Sequence, residues 1–361
     1  MKLAFYAPLK APDHPVTSGD RQMARGLIRA LQLAGHQVDV VSDLRAYLPD
    51  AGDRAGLAAL QAAAGAERAR IGDVWRQSGA PDLWFCYHPY YKSPDLIGPD
   101  LCRAFNIPWV SAEASLSARR NQGIWAETQA GVAQAVRLAG VNFAMTARDR
   151  AGLAALAPGA RITPLAPFID TQATAGSAAD GALLVTVAMM RAGDKFDSYR
   201  ALAGALALLP PDQPWRLAVA GDGPMRDEVR ALFAPDRVDW LGELSAAQVR
   251  DLFAQGAAYV WPGCGEAYGL AYLEAQAAGL PVVAWSTAGV PEVVADGEAG
   301  LLAAPGDLTG LARGIAQLLQ DGDLRRRMGQ AARARVLARH SLDSAAATLD
   351  AGLRQVRKDA R

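Results

Sequence analysis

The stretch Trp261–Val294 reads WPGCGEAYGLAYLEAQAAGLPVVAWSTAGVPEVV. Its first residue closes a short apolar run, Ala258–Trp261, and a second run, Pro281–Trp285, lies downstream; uninterrupted apolar runs of this length suit strands buried on both faces. Between them the pattern predicts a helix from Gly269 to Gly279, with Gly279 suited to the position just past the end and Pro281 barring continuation. Strand, loop, helix and strand form one βα repeat of a parallel sheet. Glu266 falls in the loop and Glu274 on the helix, with seven residues between them.

The same repeat recurs outward in both directions. In the second half the predicted strands are Leu183–Ala188, Arg216–Ala220, Val238–Leu241, Ala258–Trp261 and Pro281–Trp285. In the first half they are Lys2–Ala7, Gln37–Ser42, Leu83–Tyr87, Pro108–Ala112 and Asn142–Met145, with helices that include Gln22–Leu33 and Ala126–Leu138. Between the halves, DTQATAGSAADG (Asp170–Gly181) has small polar residues and no hydrophobic period, which reads as a linker. The expected organisation is α/β: an N-terminal domain over 1–170, a linker over 171–181, a second domain over 182–343, and a final segment, 344–361, that could cross back to the first domain. Two doubly wound, Rossmann-like parallel-sheet domains facing a central cleft would bind ligands beyond the carboxyl ends of their strands.

At 361 residues the chain suits two domains, and 51% hydrophobic with 20% charged residues describes a globular protein. A formal net charge of +0 argues against nucleic acid as a partner and gives no support for peripheral membrane contact. Met1–Tyr6 lacks the long apolar stretch of a secretory signal, so a cytoplasmic setting is expected. Cys86, Cys102 and Cys264 are scattered without metal-ligand spacing and are expected to be reduced thiols.

The chemistry concentrates in the opening stretch. Backbone N–H groups of Gly269 and Leu270 at the predicted helix start would form an anion site suited to phosphate. Glu274, inside the helix, could accept two hydroxyl hydrogen bonds of the kind a ribose diol offers, and Glu266 could reach the group beyond the phosphates. Both could also be surface acids near a helix start, where acids are favoured anyway. The block PGCGEAYGLAYLEAQAAGLPVVAW followed by GVPEVV resembles the signature of retaining family 4 glycosyltransferases of the GT-B fold (group 1), a specific likeness over about thirty residues. The resemblance implies that Glu266 contacts the donor sugar, Gly269 and Leu270 the phosphates, and Glu274 the ribose.

A second element agrees with the first. After the strand LLVTVA comes MMRAGDKFDSY, where Arg191 and Lys195 match the Arg and Lys that the family places on the donor diphosphate. A cation at a helix N-terminus opposes the dipole; a bound diphosphate would reverse that penalty, or Asp194 and Asp197 would neutralise the lysine. Weaker matches are the Gly221-Asp222-Gly223-Pro224 turn and Gly242-Glu243-Leu244, where relatives pass backbone beside the nucleobase; either could be only a tight turn. LRRRMGQAARARV resembles a late family helix, and an amphipathic basic helix explains it equally well.

In the first half, Ser18-Gly19 within LKAPDHPVTSGDR occupies the place of a Gly-rich phosphate and acceptor loop, with one glycine as a departure. His88 opens HPYYKSPD, whose Tyr90, Tyr91 and Lys92 could line an acceptor site. Glu113 stands where many relatives place a histidine near the transferred sugar, with Arg119 and Arg120 nearby, so either Glu113 or His88 is expected beside that sugar.

The expected activity is transfer of a sugar from a nucleoside diphosphate sugar to a hydroxyl of a saccharide, lipid-linked or small-molecule acceptor. The resemblance implies retention of configuration by same-face attack, with the leaving phosphate taking the acceptor proton, and no cofactor or metal; no DxD-type motif sits at a strand end. A dehydrogenase would need G-x-G-x-x-G after the first strand, where this chain has FYAPLKAPDHP. A non-catalytic nucleotide-sugar or carbohydrate binding protein on the same scaffold is the alternative, and the intact Arg191, Lys195, Glu266 and Glu274 argue against it.

Overall fold

The structure, a computed structural model, describes residues 1–16, 18–171 and 181–359. The chain divides into two compact units, Met1–Ala166 with Leu342–Arg361, and Pro167–Ser341.

The first unit is built on β1 (Lys2–Tyr6), β2 (Gln37–Ser42), β3 (Leu83–Tyr87), β4 (Trp109–Ala112), β5 (Val141–Ala144) and β6 (Ile162–Pro164), in the order β2-β1-β3-β4-β5-β6. Every pairing is parallel; Leu3, for example, pairs Val38 on one side and Leu83 on the other. All residues of β3, β4 and β5 are buried, as expected of strands covered by helices on both faces. Below the sheet the buried carboxylate of Asp95 accepts hydrogen bonds from the indole nitrogens of Trp84 (2.8 Å) and Trp109 (2.9 Å) and from the backbone of Ile97 and Gly98. Four donors meet the cost of burying an acid, so the last residue of HPYYKSPD has a structural role.

The final helix, Leu342–Asp359, belongs to this unit and packs on the helix Gly19–Leu33 and on β5. Leu349, Leu353 and Val356 recur at helical spacing and are buried. Gly352 permits the approach, since a Cβ there would lie 2.6 Å from the ring of Phe143.

The second unit is built on β7 (Leu183–Val187), β8 (Arg216–Ala220), β9 (Val238–Gly242), β10 (Ala258–Val260), β11 (Val282–Trp285) and β12 (Gly300–Ala303), in the order β12-β11-β10-β7-β8-β9, again all parallel. Its first residues, Pro167–Asp170, precede the boundary expected near Thr171. They belong here because Ile169 N donates to His340 O (2.9 Å) and His340 Nδ1 donates to Pro167 O (2.7 Å). Burial pushes His340 down to about 4, so the ring is neutral in this role. The second boundary falls between Ser341 and Leu342; of the expected linker, residues 172–180 lie outside the described residues.

Two strands escaped the sequence pattern, β6 and β12. Each is an outermost strand with a single strand partner. Among the described residues no helix is long and apolar enough to cross a membrane.

Candidate active site

In the second sheet the direction of strand addition reverses between β7 and β10. Loops leaving the carboxyl ends of two strands on either side of such a reversal diverge and open a crevice. They are the turn that carries Arg191 and the loop that carries Glu266.

Lys195 stands in the first turn of the helix Asp194–Ala207, whose cap is Gly193 without a side-chain bond. Its Nζ is ion-paired with Glu266 Oε1. Trp261 Nε1 donates to the same oxygen (3.1 Å), and the ammonium lies 5.4 Å from the Trp261 ring centroid. Neutralisation by Asp194 and Asp197 is therefore not what the chain adopts: Asp197 pairs with Arg200 at 2.8 Å, and the Asp194 carboxylate fills the space beside Gly265. The two side chains of the Lys195–Glu266 pair are 19% and 16% exposed, open enough for a ligand to compete for either.

The loop that carries Glu266 is held at several points. Cys264 N donates to Ser198 Oγ (2.9 Å), and Tyr272 Oη donates to Trp261 O (3.0 Å). Gly265 has φ +64°, and a Cβ there would lie 2.1 Å from Asp194 Oδ2, so any other residue would be strained and would displace that carboxylate. Gly269, φ +76°, caps the helix Leu270–Ala277 with no side-chain bond, so the first amides of that helix, beginning with Leu270, have no side-chain acceptor at the cap. Glu274 lies on the same helix, half-buried, and Arg191 is exposed in its turn.

The neighbouring loops are stitched to that turn. Gly221 N donates to Gly242 O (2.7 Å), Met190 N to Asp222 O (2.9 Å) and Met225 N to Met190 O (3.0 Å). A Cβ on Gly221 would lie 1.9 Å from the Ala188 carbonyl oxygen. Leu244 lines a shallow pocket of about 370 Å³ with Leu183, Ala218 and Leu252, a lining that includes neither Lys195 nor Glu266.

The first sheet reverses between β1 and β3. Ser18 caps the helix Gly19–Leu33, its hydroxyl accepting from Arg21 N (3.3 Å), and Gly19 begins the helix in open space. The next residue, Asp20, accepts from Nδ1 of His88 at 3.1 Å. His88 and Glu113 directly follow β3 and β4, and both take left-handed backbone angles, φ +57° and +58°. Such angles cost a non-glycine residue roughly 1–3 kcal/mol each and persist where the surroundings fix them. Here His88 N donates to Ala112 O and Glu113 N to Phe143 O, both at 2.8 Å.

Burial would lower His88, yet the charge of Glu113, the hydrogen bond and charge of Asp20 and the charge of Asp149 together lift it from 6.5 to about 9. Burial raises Glu113 to about 7; His88 opposes the rise, Asp20 and Asp149 add to it, and a hydrogen bond from Tyr87 opposes it. Asp20 is held below the usual carboxylate range: burial pushes it up, but His88 and Lys10 outweigh that. The arrangement presents a cationic imidazole beside an acid that titrates near neutrality.

Other predicted acceptor residues are placed differently. Tyr90 stacks on His88 (5.0 Å between centroids, 23°), whereas Tyr91 and Lys92 pack against Trp125, at 5.2 and 4.7 Å. Arg119 and Arg120 are exposed on a single 3-10 turn. A cavity of about 620 Å³ in this unit, lined by Leu57, Leu96, Ile107, Trp109, Val132 and others, contains none of the predicted site residues.

The sequence profile described as Glycosyl transferases group 1 matches residues 197–335. These residues form a group 1 glycosyl transferase domain. The domain contains Gly221, Leu244, Glu266, Gly269, Leu270 and Glu274, with Arg191 and Lys195 just ahead of it. Sulfoquinovosyl transferase SQD2 of Arabidopsis thaliana is 35% identical over 121 residues, 33% of this chain and 24% of that protein. N-acetyl-alpha-D-glucosaminyl L-malate synthase of Bacillus anthracis is 36% identical over 133 residues, 36% of this chain and 34% of that protein. The likeness thus spans about a quarter to a third of those relatives. Among solved structures, sucrose-phosphate synthase from Thermosynechococcus elongatus superimposes with a TM-score of 0.77 at 20% identity, covering 99% of both chains. HepE of Anabaena in complex with UDP gives 0.74 at 17% identity, covering 98% of this chain and 100% of that one. The fold is GT-B, as the resemblance implied: two six-stranded parallel sheets with flanking helices.

Asp20, Asp149 and Trp261 were not singled out in the sequence. An acid in the first turn of a helix is favoured by the dipole whatever its role, so Asp20 carries no mark of its own. Trp261 reads as the last apolar residue of a strand, and its indole N–H acquires a partner only when the loop folds back.

Proposed function

We propose that this chain is a retaining glycosyltransferase that moves a sugar from a nucleoside diphosphate sugar to an acceptor hydroxyl without a metal ion. The observation that carries the reading is the Lys195–Glu266 pair at the reversal of the second sheet, beside the helix start at Gly269. Support also comes from the activities for which the relatives are named and from the UDP and UDP-glucose in the HepE complexes. A cytoplasmic setting is part of the same proposal.

In this reading the diphosphate takes the amides at the start of Leu270–Ala277 and draws Lys195 away from Glu266, with Arg191 as the second cation. Glu274 accepts from the ribose hydroxyls, the stitched loops with Gly221 and Leu244 flank the base, and Glu266, once released, accepts from sugar hydroxyls. The bond between the anomeric carbon and the phosphate oxygen breaks as charge grows on the leaving diphosphate, which the two cations oppose. The acceptor oxygen bonds to the same face of that carbon, and its proton passes to the leaving phosphate. Ser18 and Gly19 with His88 and Glu113 provide the acceptor side, for a saccharide, lipid-linked or small-molecule acceptor.

Incubation with UDP-, GDP- and ADP-sugars and a panel of acceptors, followed by anomeric NMR of the product, tests the proposal. Transfer with the donor's configuration kept in the presence of EDTA is the expected result. Binding of a nucleotide sugar without turnover of any would overturn the enzyme in favour of a binding protein, and transfer abolished by EDTA would overturn metal independence.

A further inference from the structure

His88 is gripped more firmly than a side chain 21% exposed requires. Its backbone is left-handed, its ring stacks on Tyr90, the Tyr87 ring stands 5.7 Å away, and Asp20 holds Nδ1. The grip joins two loops. Because β1 and β3 are neighbours in register, the helix that follows β1 starts beside the end of β3, and Ser18 fixes that start by capping it. The helix end also favours an ionised Asp20 there.

We propose that Asp20 is a positioning residue for His88: by holding the ring at Nδ1 it leaves Nε2 as the nitrogen that donates to a sugar hydroxyl at the carboxyl end of the first sheet. The role of His88 toward sugar rests on the glycosyltransferase reading; the hold of Asp20 on the ring does not. In a neutral imidazole the acceptor fixed at Nδ1 would keep the proton there and leave Nε2 an acceptor, so Nε2 donates while the ring is the imidazolium that Asp20 stabilises. A carboxylate does this better than a neutral oxygen because the bond is charge-assisted. Burial of the ring is offset by Glu113, Asp20 and Asp149, while Lys10 faces Asp20, and Tyr47, Tyr91 and Arg45 face Tyr90. The result is a donor at both nitrogens through neutral pH.

Nitrogen-15 NMR of the histidines in the full chain tests the hold directly. There are four, and His88→Gln identifies the signal that matters. In the wild type the His88 ring is expected to stay doubly protonated until about pH 9; in Asp20→Asn its midpoint should fall by at least about one unit, the scale of a lost neighbouring charge. A wild-type midpoint near 6.5, or a midpoint unmoved in Asp20→Asn, overturns the proposal whatever the activity assays give. The wild-type measurement also stands alone should Asp20→Asn not fold. With donor and acceptor in hand, Asp20→Asn should lower kcat/KM for the acceptor roughly ten- to hundredfold, leave the donor KM unchanged, and move the alkaline limb of the pH profile downward. A uniform loss with an unshifted profile would assign Asp20 a merely structural role. If the wild type transfers no sugar, the glycosyltransferase reading fails while the NMR result still decides the grip.

Discussion

The two units solve the same topological problem with opposite chemistry. Each has a parallel sheet whose strand order reverses once, and each gathers polar side chains where the two flanking loops leave the sheet. In the second unit one cation and one anion, Lys195 and Glu266, pair between loops whose turns are made by glycines at positive φ. In the first unit three carboxylates, Asp20, Glu113 and Asp149, surround one histidine, and two residues with side chains accept left-handed angles to do it. A glycine loop is suited to a backbone that must approach a phosphate. A strained His or Glu is suited to a side chain that must point one way, and its protonation can be tuned by its neighbours.

That contrast predicts a graded series of effects. Lys195→Ala, which in the proposed mechanism removes a cation from the leaving group, should lower kcat by roughly 10²- to 10³-fold in a transfer assay; a loss within threefold would deny the second unit its role. Next, Glu274→Ala should weaken binding of the free nucleoside diphosphate roughly ten- to hundredfold by calorimetry, the scale of hydrogen bonds to a charged acceptor. Glu266→Ala should leave that affinity within a few-fold and reduce turnover instead. Equal small effects from both would erase the division between ribose and sugar.

Gly221→Ala should cost the second unit about 1–3 kcal/mol in denaturant unfolding, because its Cβ meets the fixed carbonyl of Ala188 and the backbone is already at φ +140°. An unchanged midpoint would mean that the turn can move, against the picture of stitched loops.

The smallest effect tests the first unit. His88 and Glu113 are both raised, so at these two sites the folded chain binds more protons than the unfolded one from about pH 4.5 to 9. Their contribution to stability is complete at the acid end, then declines as pH rises through about 7 for Glu113 and about 9 for His88. His88→Gln should flatten the decline between about pH 6.5 and 9 by at most about 1.4 kcal/mol per pH unit, one proton's worth. The same slope in the variant and the wild type would show that the cluster does not hold its proton.

Legibility divided along the same line as the chemistry. In the second unit the candidate residues lie close together in the chain: Glu266, Gly269 and Glu274 within one loop and helix, and Arg191 with Lys195 in another. Helix spacing and turn glycines are local properties, and a phosphate site made from a helix start is a local device. In the first unit the candidates could be read only as single residues. His88, Glu113 and Asp20 stand at the ends or starts of three separate elements. Lys195 shows the limit on the other side: the sequence offers a bound diphosphate or the neighbouring Asp194 and Asp197 as its counter-charge, and the folded chain pairs it with Glu266, 71 residues away.

Two sets of parallel βα repeats and ten of the twelve strands among the described residues were determined by the sequence alone, because burial on both faces imposes apolar runs and tight turns impose glycine. Tertiary structure decided the rest: the edge strands β6 and β12, the return of Leu342–Asp359 to the first unit, and the partners of Lys195 and His88. Each depends on which surfaces meet once the chain has folded, and a charge takes its partner by distance in space, with sequence separation playing no part in that choice.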